Sequence, residues 1–330
     1  AMSESIELDI SDTNTFQRQY FIDLIKSKAK KILKEFEKPN GKAYSLKEDG
    51  LQIHTTLDLR QQKLLEAAVK SHVEYLQPLF EKEYNRNPPW QNSVLLQKLA
   101  KKTNDFKHWK SEKLSKKQIQ DSLTKSRPIE VIEKGESVVK QISILDSLSY
   151  ALKKINAASL SVNPKNGKIL AYVGGADYRL SKYDIIKNAK RQVGSVFKPF
   201  VYASGLQNGL QPCDYISAKE VTYTNAGDWN PKNASSKDDE DPYLNYSIKY
   251  ALTNSINTVS VKVLEQAGIS NTIKLARSMG IDSELKKKPS LALGAVELNM
   301  KELAKAYSGF ANSGQVPELY FITKITTGTG

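Results

Sequence analysis

The chain has 330 residues, 39% hydrophobic and 26% charged, which is ordinary for a globular protein with a large core and one or two domains. A formal net charge of +13 directs it toward anionic partners, yet Lys and Arg are spread along the chain, with no zinc-ligand set and no aromatic nucleic-acid signature, so nucleic acid is disfavoured. The single cysteine, Cys213, excludes an internal disulfide and a cysteine-based metal cluster and reads as a small buried side chain. No apolar run reaches the roughly 18 residues of a membrane span, and no signal-peptide pattern opens the chain. Ala1-Met2-Ser3 reads as an expression remnant and Lys324–Gly330 as a turn after a strand, so the sequence reads as a fragment.

Thr13 to Glu37 places Phe16, Tyr20, Ile22, Leu24, Ile25, Ala29, Ile32, Leu33 and Phe36 at helical spacing, which predicts an amphipathic helix with a strongly basic face, ended by Pro39-Asn40-Gly41. Gly50 to Asp58 alternates and is β-branched, as in a strand. Asp58 then caps a helix carrying Leu64, Leu65, Ala68, Val69, His72 and Leu76. From Pro78 to Lys140 the chain is polar and poorly periodic, with Trp90 and Trp109 as isolated aromatic points; it reads as a small helical insert or linker module. Ser159 to Val162 and Lys168 to Val173 alternate around Asn166-Gly167, a hairpin signal. Residues 215–242 read as loop, with an acidic cluster at Asp238–Asp241. Helical stretches follow at Ser247–Leu252, Val259–Gln266, Asn271–Met279 and Met300–Asn312, then a strand at Leu319–Ile325.

Chemistry concentrates in Arg191-Gln-Val-Gly-Ser-Val-Phe-Lys-Pro-Phe200. A serine hydroxyl is a poor nucleophile until a base takes its proton, and Lys198, three residues on, shares a helical face with Ser195. Pro199 is tolerated in an opening turn, which puts Ser195 at a helix start, where free N–H groups favour developing negative charge. Gly194 permits a sharp turn just before the serine. Ser255 and Asn257 follow in Ala251-Leu-Thr-Asn-Ser-Ile-Asn257; residues two apart do not share a helix face, so the pair is expected on a loop.

Ser-x-x-K followed by Ser-x-Asn is the signature pair of penicillin-binding proteins and serine β-lactamases. Around it, Gly50–Asp58, Asn163-Pro-Lys-Asn-Gly-Lys-Ile-Leu-Ala-Tyr-Val-Gly-Gly175, Trp229-Asn-Pro-Lys-Asn233 and Pro289-Ser-Leu-Ala-Leu-Gly294 occur in the order of the class A (bifunctional) penicillin-binding proteins. The chain resembles that family over residues about 16–76 and 143–325, and the region around Ser143-Ile-Leu-Asp-Ser147 and the long insert are most similar to its Bacteroidetes-type members. The resemblance implies an α/β (α+β) transpeptidase fold, an antiparallel sheet flanked by helices with an all-helical lobe. It divides the chain into a basic connector (1–49), a linker strand, helix and insert (50–157) and a transpeptidase domain (158–330). It also implies roles: Ser195 forms an acyl-enzyme with a peptidoglycan stem peptide, and Lys198, kept neutral by burial and neighbouring positive charge, takes its proton. Ser255 relays a proton to the leaving D-Ala, and Asn257 binds the donor peptide.

No metal or organic cofactor is required by this chemistry. The implied partners are stem peptides, the lipid-linked precursor, β-lactams, the membrane surface and cell-wall synthesis proteins, at the periplasmic face of the inner membrane. Two departures stand out. The family's Lys-Thr-Gly belongs downstream of the last strand, and Thr327-Gly328-Thr329 only echoes it; the glycosyltransferase domain expected before residue 16 is not in the sequence. A β-lactamase or β-lactam sensor would share Ser-x-x-K but has no use for the linker block. A non-catalytic scaffold is opposed by the intact Ser195, Lys198, Ser255 and Asn257 set. A Ser-His-Asp hydrolase is opposed by His54, His72 and His108, all of which precede the hairpin.

Overall fold

The computed structural model of the chain describes residues 15–84, 86–133, 135–233 and 244–327. In chain order the elements are α1 (Thr15–Leu33), β1 (Gln52–Thr55), α2 (Leu59–Glu83), α3 (Ser93–Ala100), α4 (Asn104–Ser111), α5 (Lys116–Thr124), β2 (Arg127–Glu133), β3 (Glu136–Ile142), α6 (Ile144–Lys153), β4 (Ser159–Val162) and β5 (Ile169–Val173). Then come α7 (Ile185–Asn188), β6 (Arg191–Gln192), α8 (Lys198–Gln207), β7 (Tyr215–Ser217), β8 (Asn245–Ser247), α9 (Ile248–Thr253), α10 (Asn257–Ala267), α11 (Ile269–Ser278), β9 (Glu297–Leu298), α12 (Met300–Ala311) and β10 (Ile322–Thr326). The mixed α/β class expected from the sequence is what is found. Among the described residues its sheets are two-stranded: β1–β10, β2–β3, β6–β9 and β7–β8 run antiparallel, and β4–β5 is a hairpin. Ala1–Ser3, Thr13, the acidic cluster Asp238–Asp241 and Gly328-Thr329 lie outside the described residues.

The described residues form two compact units, one drawn from 1–161, 169–186 and 321–330, the other from 162–168 and 187–320. In the first, Asp58 caps α2 as its sequence predicts, accepting from the N–H groups of Arg60 and Gln61. One turn later the fully buried Gln62 accepts from Tyr172 N (2.7 Å) and donates to Tyr172 O (3.0 Å), satisfying both backbone groups at that point of β5. Helix α1 buries Tyr20, Phe21, Ala29 and Leu33 and leaves Lys26, Lys28, Lys30 and Lys31 exposed, the basic face read from the sequence.

The insert is more ordered than its composition suggests. α2 runs through Pro78 to Glu83, held by Gln77, whose side chain donates to Lys153 O (2.8 Å) and accepts from Ile155 N (2.9 Å). Trp90 is buried against Phe80, ring centroids 5.4 Å apart, and the Arg127 guanidinium lies over Trp109 at 5.9 Å, so neither tryptophan is isolated. The hairpin β2–β3 had no clear sequence signal. The three histidines belong to this unit: His54 in β1, His72 stacked on Tyr75, and His108 beside Glu112.

The core of the second unit joins Phe197, Phe200 and Val201 to Val259, Val263 and Leu264 of α10 and to Leu291 and Ala292. α8 is buried nearly all round, which is why its sequence lacks a polar face. Two expectations need correction here. Tyr215–Ser217 is strand β7, paired Tyr215↔Ser247 and Ser217↔Asn245, where loop was expected. Cys213 is exposed, because it falls in the turn between Gln211 and Asp214 after α8. Among the described residues no helix is long and apolar enough to cross a membrane.

Candidate active site

The strand β6 delivers Ser195. Arg191 and Gln192 pair with Leu298 and Glu297, and the ladder continues as Val193 N to Val296 O and Gly194 N to Gly294 O, each 3.1 Å. Gly194 (φ +58°) then turns the chain into a 3₁₀ turn, Gly194–Phe197, that runs straight into α8, with Pro199 in the opening turn of that helix where its missing N–H costs nothing. Gly294 (φ +65°) faces this turn so closely that a Cβ there would lie 1.9 Å from Gly194 O. A second support comes from Tyr307 of α12, whose hydroxyl donates to Val196 O at 2.7 Å.

Ser195 is exposed while Lys198 is only 1% exposed. The ammonium donates to Ser255 O (2.5 Å), Ser255 Oγ (2.9 Å) and Asn257 Oδ1 (2.7 Å). Ser255 Oγ in turn donates to Ser195 Oγ at 3.0 Å. The Lys198–Ser195 link expected from their spacing therefore runs through Ser255: among the described residues no direct hydrogen bond joins Lys198 Nζ to Ser195 Oγ. Burial alone lowers the Lys198 pKa to about 8; no neighbouring cation enters, contrary to the sequence expectation.

Ser255 reaches this position through an unusual backbone. α9 ends in a Schellman turn, with Ser255 N bonded to Leu252 O (3.1 Å) and Ile256 N to Ala251 O (2.9 Å), and Ser255 sits at φ +57°, the left-handed place where glycine is usual. The following residue but one, Asn257, opens α10, so the pair is a turn residue and a helix-opening residue, where both were expected on a loop. The structure thus brings together Ser195 of the 3₁₀ turn, Lys198 of α8, Ser255 of the turn after α9 and Asn257 of α10. It adds residues the sequence did not single out for the site: Asn233, whose Oδ1 accepts from Asn257 N (2.9 Å) and Thr258 N (3.2 Å), and Lys232, whose carbonyl accepts from Asn257 Nδ2 (2.8 Å). Their signal lay in the Trp229–Asn233 block.

An exposed serine wired through a second hydroxyl to a buried lysine has the geometry of the class in which a serine can be activated as a nucleophile. Comparison with known proteins narrows that class. Residues 158–329 match the penicillin binding protein transpeptidase domain, and the chain belongs to that family. It is 29% identical to penicillin-binding protein 1A of Aquifex aeolicus over 94% of this chain and 42% of that protein. The structure of penicillin-binding protein 1A from Haemophilus influenzae superposes with a TM-score of 0.62 at 23% identity, over 96% of this chain and 49% of that one. The PonA1 protein from Mycobacterium tuberculosis, solved in complex with penicillin V, gives 0.57 at 17% identity, over 95% and 64%. The chain spans less than half the length of the first two.

Proposed function

We propose that this chain carries the acyl-transfer site of a peptidoglycan D,D-transpeptidase that β-lactams acylate. The observation that carries the proposal is the hydrogen-bonded series Lys198 Nζ, Ser255 Oγ, Ser195 Oγ, with its basic end buried and its nucleophilic end exposed. In the attacking direction neutral Lys198 draws a proton from Ser255, which draws one from Ser195, as Ser195 Oγ bonds to the penultimate D-Ala carbonyl carbon. The Ser195 N–H, in the first turn, supplies half of the oxyanion hole. Collapse breaks the C–N bond to the terminal D-Ala, and the proton returns along Ser255 to the leaving amine. The amine of a second stem peptide then attacks the ester, the C–O bond breaks, and Ser195 regains its proton.

Asn257 holds Lys198 through Oδ1 and offers its remaining amide hydrogen to the donor peptide. The class A resemblance extends the reading to a longer parent protein that also polymerises glycan, takes lipid-linked precursor and works with cell-wall synthesis proteins at the periplasmic face of the inner membrane. The test is aminolysis of a thioester analogue of a D-Ala-ended stem peptide by a D-amino acid. The cross-product forms with the wild type and stops in Ser195→Ala; turnover unchanged in Ser195→Ala sinks the proposal.

A further inference from the structure

Helix α10 has a defect at its start. Its N-cap is Ile256, a side chain that cannot accept a hydrogen bond, so the first N–H groups need an acceptor from elsewhere. Asn233 supplies it from 24 residues upstream, bonding both Asn257 N and Thr258 N through one oxygen while its Nδ2 donates to Thr258 Oγ1 at 3.3 Å. Beside it, Lys232 O takes a hydrogen of Asn257 Nδ2. A primary amide has donors on one side and an acceptor on the other, so pinning Nδ2 fixes where Oδ1 points. Here it points at Lys198 Nζ, 2.7 Å away; the flipped amide would set its N–H₂ against an ammonium.

We propose that Lys232 and Asn233 are positioning residues, a clamp that fixes the Asn257 amide and through it the place of Lys198 behind Ser195. The proposal rests on the acyl-transfer reading of Ser195 for its kinetic consequence, and on geometry alone for its structural one. It explains why a helix that carries a site residue at its first position is capped by a distant loop. A local serine or aspartate cap would secure the helix but leave the Asn257 side chain free to flip. The clamp does both at once.

The test uses the whole chain with two readouts. Asn233→Ala, corrected for active fraction, lowers the second-order rate of acylation by a fluorescent penicillin on the order of tenfold or more, since misplacement by an ångström costs up to about 100-fold. Asn233→Asp keeps the accepting oxygen and restores the rate to within a few-fold of wild type on the alkaline plateau. In protein labelled with ¹⁵N-asparagine, the Asn257 side-chain amide, assigned by its loss in Asn257→Asp, exchanges slowly in wild type and Asn233→Asp and rapidly in Asn233→Ala. A merely structural cap would lower the melting temperature and leave that amide protected, and this result overturns the proposal, whatever the rate. Were Asn233→Ala not to fold, Asn233→Ser, with a shorter reach, is read the same way. If penicillin acylates no protein at all, the reading of Ser195 fails, while the amide still decides on the clamp.

Discussion

In the proposed chemistry Lys198 must be both a cation held by three acceptors and a neutral base, and burial sets the balance. With its pKa lowered to about 8, roughly a tenth of the side chain is neutral at pH 7, against well under 1% for an ordinary lysine. If neutral Lys198 is the base, as proposed, acylation by a penicillin rises with pH and levels off above a midpoint near 8; a flat profile between pH 6 and 10 contradicts the assignment. Lys198→Arg, which keeps the charge and cannot lose it, abolishes the reaction. Ser255 makes a different demand. Ser255→Gly removes a side chain from a left-handed backbone, so unfolding free energy stays within about 1 kcal/mol of wild type or rises, glycine entropy offsetting the released strain. Acylation nevertheless falls about 100-fold or more, because the hydroxyl between Lys198 and Ser195 is gone. Equal loss of stability and activity would show that Ser255 matters only to the turn. That Ser195, Lys198, Ser255 and Asn257 belong together was legible because residue type and order carry the pattern. The relay was not, since spacing puts Lys198 near Ser195 without saying which hydroxyl lies between.

At the scale of elements, the site depends on backbone approaching backbone. The Gly294 α-carbon faces Gly194 O with no room for a methyl group, and its φ of +65° is itself costly for alanine. Gly294→Ala therefore destabilises the protein by about 2–4 kcal/mol, combining left-handed strain with overpacking, and lowers acylation per folded molecule by displacing the turn that presents Ser195. Unchanged acylation in a destabilised variant would mean that the turn is set from elsewhere, by Tyr307 for instance. Helices with a cap and a clear period, such as α2 after Asp58, could be read from the sequence. The short strands β7 and β8 could not, because three residues are too few to show alternation. The helical character of the insert was legible and is found in α3, α4 and α5, but the hairpin β2–β3 and the side-chain contacts, Trp90 with Phe80 and Arg127 over Trp109, were not, because no periodic pattern records them.

For the whole molecule, charge is the most general property. The net charge of +13, with Lys26, Lys28, Lys30 and Lys31 exposed along α1, suits an anionic lipid surface. Sedimentation with anionic vesicles at low salt that fades by about 0.5 M salt is the expected outcome, and binding indifferent to salt refutes it. The two compact units each have a core of their own, and the proposed chemistry lies wholly within the second. All of the proposed chemistry depends on Ser195 being an acylated nucleophile. Intact mass after incubation with benzylpenicillin tests it most directly. The wild type is expected to gain one penicilloyl group, mapped to the peptide holding Ser195, and Ser195→Ala none. An adduct that persists in Ser195→Ala, or a wild type that takes up none, contradicts it.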